Sequence, residues 1–532
     1  MARQGYKDSD LKLSIVTPVF RPNIDELNLC IASLNAQTTQ NFEWVAIDDG
    51  SPSMTHLSIL NALSTEFQVQ VFQNSKNVGI AATTQRCIDE SSGEFVAFLD
   101  QDDMLQVNAV EAVIEVITEH PTCDVIYSDE DKILEGNIFG QRFWKPDWSP
   151  ERFRHQNYLN HLTVIRKSLI QSVGGLRPEF DGSQDYDLLL RVTEQARTIV
   201  HIPEVLYHWR ATSTSVASDP AAKPEAHDAA VRAVQAHLDR CQIRGTAYLM
   251  DNFYVGIKRE SADLPSVSIV IPTCGTEKIL RLERTSLIKN CIESILDKTN
   301  YPNFEIVVVA DSDSEASSTN YLEHHSDPRV RVIEYDEEFN FSRKINTGAL
   351  ASNSDIIIAL NDDTEVIEST WIYDLVQFFT EDDVGLVAPT LVLEEGRIQS
   401  AGHYFQDGVH HVAPGMLKTD SGPFGILTFP AERSGVTFAA AAMPRQPFLE
   451  VGGLSETFPI SFNDVDFCCK LQMLGYRIIA TSLQSLHHFE SISREPTVTP
   501  KEIDQLFRIW EHQLRSPDPC LPQWWRQVFS AD

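Results

Sequence analysis

Apolar positions along the chain alternate between two periods. Short, nearly continuous runs such as LSIVTPVF at 13–20 and FEWVAIDD at 42–49 give way to stretches such as LNLCIASLNAQ at 27–37, where apolar residues recur every three or four positions. The first pattern predicts strands buried on both faces, and the second predicts helices with one apolar stripe. Strand and helix taking turns predict an α/β fold with a mostly parallel sheet flanked by helices. The pattern then starts again. Ser14-Ile-Val-Thr-Pro-Val-Phe20 returns as Ser268-Ile-Val-Ile-Pro-Thr-Cys274, and FVAFLDQDD at 95–103 returns as IIIALNDDT at 356–364. Val173-Gly-Gly-Leu176 returns as Val451-Gly-Gly-Leu454, and SQDYDLLLRV at 183–192 as FNDVDFCCKL at 462–471. Echoes in the same order mean two copies of one domain. The expected boundaries are 1–216 for the first copy and 217–263 for a linker that opens on loop-like ASDPAAKPEA and continues as one helix, AHDAAVRAVQAHLDRC. The second copy is expected over 264–494, and a tail with a last helix, KEIDQLFRIWEHQL, over 495–532.

Composition excludes several classes. With 532 residues, 42% of them hydrophobic and 22% charged, the chain is neither disordered nor collagenous nor a coiled coil. Its 76 acids outnumber 43 Lys and Arg, for a net charge of −33 and with no long basic run, so no nucleic-acid partner is expected. The nine cysteines include no CxxC pair, and adjacent Cys468 and Cys469 cannot form a zinc-ligand arm. They are expected to be reduced thiols of a cytoplasmic protein. The longest apolar runs, such as IVVVA at 306–310, are strand-sized, and the opening MARQGYKDSDLKL is no apolar signal. A membrane span needs ~18 or more apolar residues, so no transmembrane segment is expected. Trp524-Trp525 in the tail is read as a packing cap ahead of a membrane foot.

Ligands of open parallel sheets bind where the strands end, which draws attention to acids that close apolar runs. Asp48 and Asp49 follow FEWVAI, Asp311 follows FEIVVVA, Asp100 and Asp102 follow EFVAFL, and Asn361 and Asp363 follow DIIIAL. Two acids at i and i+2 on an extended segment project to one side and can hold a hard divalent cation, whose remaining positions go to diphosphate oxygens and water. Such a cation neutralises the charge that grows on a departing nucleoside diphosphate. Placement at the end of a buried run, twice, sets Asp102 and Asp363 apart from the solvated turns that acid-x-acid triples usually mark. Gln184-Asp185-Tyr186-Asp187 and Asn463-Asp464-Val465-Asp466 each open a helical run. Helix capping is the plain role of such acids; the functional one needs one Asp per copy, Asp185 and Asp464, to act as a general base on an attacking hydroxyl. A histidine follows at a similar distance each time, His208 in LYHWR and His488 in LHHFES, and imidazole is a natural third metal ligand. Arg210 and Arg494 could add positive charge beside a diphosphate, or pair on the surface.

Taken together, these residues resemble glycosyltransferase family 2, of GT-A fold, over about 12–215 and 266–494. NVGIAAT, YSDEDK, WKPDWSPE and QDYDLLLR in the first copy, with FNFSRKINTGA, ALNDDTEV, NDVDFCCKL and GYRI in the second, are similar to the tandem-domain members of bacterial polysaccharide and O-antigen clusters. The resemblance implies that Asp48 and Asp311 contact the nucleotide base, with Asp49 and the turns Thr17-Pro18 and Pro272-Thr273 nearby. It implies that Asp100 and Asn361 face the ribose or sugar, and that Asp102 and Asp363 bind Mg²⁺ or Mn²⁺ with His208 and His488 beside the diphosphate. Asp185 and Asp464 would be the bases of an inverting single displacement. Donors would be UDP-, dTDP- or GDP-linked sugars, and the acceptor a glycan on a lipid carrier at the inner face of the cytoplasmic membrane. An acidic protein is repelled by anionic lipid, so peripheral membrane contact would have to be local, through the Trp524-Trp525 tail, or made by a partner. Two departures stand out: Gln184 where the family more often has Glu, and Asp311-Ser-Asp-Ser in place of Asp-Asn-Gly-Ser or Asp-Asp-Gly-Ser.

The alternatives lack their own marks. A nucleotidyltransferase needs a Gly-rich, Arg-containing phosphate loop where this chain has TPVFRPN and PTCGTEK, and a dehydrogenase needs GxGxxG there. A glycoside hydrolase has two carboxylates but no need of acids at nucleotide and metal positions. The remaining alternative keeps one copy catalytic and makes the other a degenerate glycan-binding or scaffolding module.

Overall fold

A computed structural model describes residues 12–53, 55–63, 69–211, 224–251, 254–260, 264–312, 314–489, 498–522 and 525. The chain divides into two units, 1–148 with 153–259, and 149–152 with 260–532.

In the first unit the strands are β1 (Leu13–Val19), β2 (Glu43–Asp48), β3 (Val69–Gln73), β4 (Phe95–Phe98), β5 (Met104–Leu105), β6 (Val125–Leu134), β7 (Ile138–Phe143), β8 (Thr163–Arg166) and β9 (Ile199–Arg210). They form one sheet in the order β3-β2-β1-β4-β8-β6-β9-β5, with β7 beside β6. The stretch β3-β2-β1-β4 is parallel, β8 runs against both of its neighbours, and β6 is parallel to β9. Every residue of β2 is buried, as expected of a strand covered on both faces. One face packs Ile15, Val19, Trp44 and Phe95 against Leu27, Ile31 and Leu34 of helix Ile24–Asn35 and Val110 and Val113 of helix Ala109–Glu119. Helix Ile80–Glu90 lies against β1 and β2.

The second unit repeats this plan with β10 (Val267–Thr273), β11 (Phe304–Asp311), β12 (Val330–Tyr335), β13 (Ile356–Leu360), β14 (Thr364–Val366), β15 (Val384–Ala388), β16 (Ala431–Glu432), β17 (Ala440–Pro444), β18 (Arg477–Ala480) and β19 (Leu486–His488). Its main sheet runs β12-β11-β10-β13-β17-β15-β18-β16, while β14 and β19 pair in a separate small sheet. Seven strands thus follow the same order in both sheets, and the tandem α/β expectation holds. The VGGL turns repeat as well. Gln85 Oε1 accepts from the Leu176 amide and Asn346 Oδ1 from the Leu454 amide, each at 2.9 Å. Gly175 and Gly453 both adopt φ +71°, and a Cβ on either would collide with that amide side chain.

The helix expected between the copies is Pro224–Arg240, which packs against helix Gln184–Thr193 of the first unit. An unforeseen hairpin, Gly245–Leu249 with Val255–Arg259, follows it in the same unit. The tail helix is Pro500–Arg515, opened by a capping box between Thr499 and Glu502. Its Leu506, Trp510 and Leu514 pack on Phe405, Phe458 and Val465 of the second unit. Trp525 is fully buried beside Ile398 and Tyr404, a packing residue; Trp524 and Arg494 lie outside the described residues.

Candidate active site

In the first unit β4 delivers Asp100, Gln101, Asp102 and Asp103 to the carboxyl end of the sheet. Gln101 is tied back to β1's exit, accepting from the Phe20 amide at 2.9 Å and donating to its carbonyl at 3.1 Å. Asp103, an acid the motif reading passed over, is buried; it accepts from Tyr207 Oη at 2.5 Å and the Arg210 amide at 2.7 Å. Burial and the neighbouring charges of Asp100 and Asp102 push its carboxyl well above the usual range. Arg210 Nε donates to the Asp102 carbonyl at 2.8 Å, so this arginine braces the acidic loop. The pairing of β5 with β9 sets His208 opposite Met104, two residues from Asp102, and His208 Nδ1 lies 2.6 Å from Asp131 Oδ1.

In the second unit Asn361, Asp362 and Asp363 follow β13. Asp363 Oδ1 is 3.0 Å from His488 Nε2, Asn361 Nδ2 is 3.4 Å from the same nitrogen, and Gln399 Oε1 is 2.7 Å from His488 Nδ1. Asn361, Asp363 and His488, singled out from separate motifs, therefore meet. Asp362 takes the place of Gln101 and accepts from Thr273 Oγ1 at 2.6 Å; burial and Asp363 raise its pKa. The donors suit a hard divalent cation, combining carboxylate and imidazole with the buried Asn361 Oδ1, which has no hydrogen-bond partner among the described residues. A different cluster, Glu194, His237 and Cys241 in the first unit, brings three ligand atoms within 4.8 Å. Arg154 Nε already donates to His237 Nε2, and Arg240 forks onto Glu194, so its lone pairs are engaged.

The two helix-start acids of each unit divide their labour. Asp187 is bound by Arg177 and Arg191, and Asp466 by Lys470 and Trp510 Nε1. Asp185 and Asp464, half-buried, have no ion pair among the described contacts. Asp185 Oδ2 accepts from Asn157 Nδ2 at 3.3 Å and, closely, from Asn160 Nδ2. Among the described residues Asp464 has only backbone donors, including the Val465 amide at 2.8 Å, and burial pushes it up to about 6. Burial raises Asp185 as well, against the backbone amides and the two asparagine amides that lower it. A carboxyl tuned toward neutrality while staying anionic is suited to accept a proton near neutral pH.

At the nucleotide positions the two units differ. The β1–β2 register pairs Ser14 with Glu43 and the β10–β11 register pairs Ser268 with Glu305, so Asp49 is the positional counterpart of Asp311, and Ala310 stands where Asp48 does. Asp48 is fully buried and engaged by His56 Nε2 at 2.9 Å and Gln73 Nε2 at 3.1 Å. Asp49 accepts from the Val78 and Gly79 amides at 2.9 and 3.0 Å and from Asn74 Nδ2 at 2.8 Å. Asp311 instead faces Lys344 Nζ at 2.5 Å, a fully buried lysine that also donates to the Thr273 carbonyl at 3.0 Å. Thr17 accepts from Trp44 Nε1 at 2.9 Å, while Pro18 and Pro272 sit in the sheet opposite Ile47 and Val309. Lys344, Asp131, Gln399, Asn157 and Asn160 escaped the motif reading. YSDEDK and FNFSRKINTGA contained two of them, but no partner was visible.

A family model described as glycosyl transferase family 2 matches residues 14–171 and 268–431. The chain is 35% identical over 526 residues to the uncharacterized protein y4gI of Sinorhizobium fredii, covering 95% of this chain and 57% of that protein. It is 31% identical over 496 residues to the O-antigen biosynthesis protein RfbC of Myxococcus xanthus, covering 92% of this chain and 38% of that one. The chain thus spans well under two thirds of either relative. Among solved structures, S. aureus TarS 1–349 in complex with UDP is 20% identical with a TM-score of 0.35, over 43% of this chain and 65% of that one.

Proposed function

Because the chain belongs to glycosyl transferase family 2, we propose that its two units are two inverting, metal-assisted sugar transferases that extend a bacterial surface polysaccharide such as O-antigen or capsule. Both units are GT-A domains, α/β with a mostly parallel sheet flanked by helices. The observation that carries the reading is the division of labour at the helix starts: in each unit one acid is consumed by ion pairs, and the other is left half-buried as a base.

Asp185 or Asp464 takes the proton of an acceptor hydroxyl as its oxygen bonds to the anomeric carbon, and the bond from that carbon to the nucleoside diphosphate breaks with its electron pair leaving on the phosphate. Asp102 with His208, and Asp363 with His488, would hold Mg²⁺ or Mn²⁺. Such a cation offsets the negative charge of the leaving diphosphate. Asp49 and Asp311 stand at the nucleotide end of their sheets, with the buried Asp48 adjoining Asp49 in the first unit; Asp100 and Asn361 face the donor. The donors are UDP-, dTDP- or GDP-sugars, a class supported by membership of glycosyl transferase family 2. The RfbC name supports a glycan acceptor, and a lipid carrier is part of the same proposal. No helix among the described residues is long and apolar enough to cross a membrane, so work at the inner face of the cytoplasmic membrane would be peripheral.

The test scores nucleoside diphosphate release from a panel of UDP-, dTDP- and GDP-sugars, with and without Mn²⁺ or Mg²⁺, for wild type, Asp102→Ala and Asp363→Ala. Metal-dependent release with each variant losing a different donor is expected. Release indifferent to chelation and to both substitutions would sink the metal assignment. If a single substitution mattered, the other unit would be a binding module.

A further inference from the structure

The two histidines beside the acidic loops are backed by different chemistry. His208 Nδ1 lies 2.6 Å from a buried carboxylate, Asp131 Oδ1, its register partner on the adjoining parallel strand. His488 Nδ1 lies 2.7 Å from a neutral amide oxygen, Gln399 Oε1. With a cation on Nε2, each acceptor would take the Nδ1 proton, but only the carboxylate adds negative charge behind the ring and makes it a stronger donor. The substitution is built into the sheets. Pairing of Ile126 with Val164 and of Val387 with Ala442 aligns β6 with β15, so Asp129, Glu130 and Asp131 fall where the second unit has Thr390, Leu391 and Val392. Val392 is apolar and pairs with His487, whereas Asp131 pairs with His208, so no carboxylate from this strand backs His488, one residue on. Gln399 reaches His488 from a different strand, Ile398–Ser400. The loops lean the same way by one acid: the first carries Asp100, Asp102 and Asp103, whereas the second has Asn361 and Thr364 at the outer two of those positions and adds Asp362 where the first has Gln101.

We propose that Asp131 and Gln399 are positioning residues that give the two units unequal cation affinity, the first unit holding a divalent metal more tightly than the second. This rests on the reading that Asp102 with His208 and Asp363 with His488 hold the cation. A consequence is that at limiting metal the first unit is loaded while the second is not, so metal supply alone would change which transfer runs.

The experiment is a Mn²⁺ titration of the full chain, with and without nucleoside diphosphate, reading free Mn²⁺ by its EPR signal. Two classes of site are expected, His208→Ala deleting the tighter and His488→Ala the weaker. Asp131→Asn should weaken the tight class about 10- to 100-fold, the usual cost of losing a partner behind a metal-bound imidazole. Gln399→Glu should tighten the weak class, a gain that damage to the fold cannot produce. A single class of equal sites, or an affinity that either substitution leaves unmoved, would overturn the proposal alone. Absence of Mn²⁺ binding under both conditions would overturn the metal reading beneath it.

Discussion

Three acids stand on strand β6 of the first unit where the second has Thr390, Leu391 and Val392. In the first unit each acid is matched: Asp129 by His201 Nε2 at 3.0 Å, Glu130 by Lys145 Nζ at 3.3 Å and Asp131 by His208. Lys145 is fully buried, and burial of His161, with the lysine's charge added, drives that imidazole down to about 3. The second unit supports the corresponding region with apolar packing and the neutral Gln399, and places a fully buried lysine, Lys344, at the nucleotide end instead. One scaffold thus holds its candidate acids in two ways. The difference teaches that the strand order fixes where the acids emerge, whereas the groups behind them are exchangeable and set their chemistry.

The largest test of this comparison removes the bases. Asp185→Asn and Asp464→Asn should each lower one transfer about 10²- to 10⁴-fold, the range of positioned proton transfer, and leave the other unchanged. Product analysis with each donor separately would read this, and loss of both transfers from one substitution would make the units a single catalytic device.

Next in size is a stability difference confined to the second unit. Trp510 is buried on Phe405, Phe458 and Val465, and its Nε1 donates to Asp466 Oδ1 at 2.9 Å. Trp510→Ala should cost about 3–5 kcal/mol, the usual cost of deleting a large buried aromatic. Chemical denaturation followed by second-unit donor binding would show an earlier midpoint, with first-unit binding lost at the wild-type midpoint. An unshifted midpoint would mean that the tail helix is an ornament of that unit.

Much of this was legible in the sequence, and the illegible part has a physical pattern. The repeat, the strands and the helix-start acids announce themselves locally, because apolar periodicity and capping are short-range. Asp363 and His488 could be paired on paper because their motifs recur in a fixed order. The role of Asp131 could not, because its partner His208 is 77 residues away on another strand and becomes a neighbour only through the β6–β9 register. The same holds for Lys344, a cation inside a helical run, where charge argues for a solvated face until the fold buries it beside Asp311. Asp49 rather than Asp48 is the counterpart of Asp311, which only the strand register decides.

A finer difference separates the two bases. Both bases accept from backbone amides, and Asp185 is gripped by Asn157 and Asn160 as well, whereas Asp464 has no side-chain donor among the described residues; burial raises both. A base works as the carboxylate, so each transfer should gain rate as pH rises through its folded pKa and level off above it. For the second unit that limb is expected at about pH 6. For the first it should lie lower, because amide donation favours the anion. Asn160→Ala removes one donor from Asp185 Oδ2, and a hydrogen bond to a charged group is worth about 1.5–3 kcal/mol, so the first limb should move up by roughly 1–2 pH units. The second limb should stay where it was. A pH profile of kcat for each donor would register this shift even if the variant lost some activity for structural reasons, since misfolding lowers the plateau without moving the limb. If the limb of the first transfer stayed fixed while its plateau fell, Asn160 would be a structural neighbour of Asp185, and the contrast between an amide-held base and a backbone-held one would not survive.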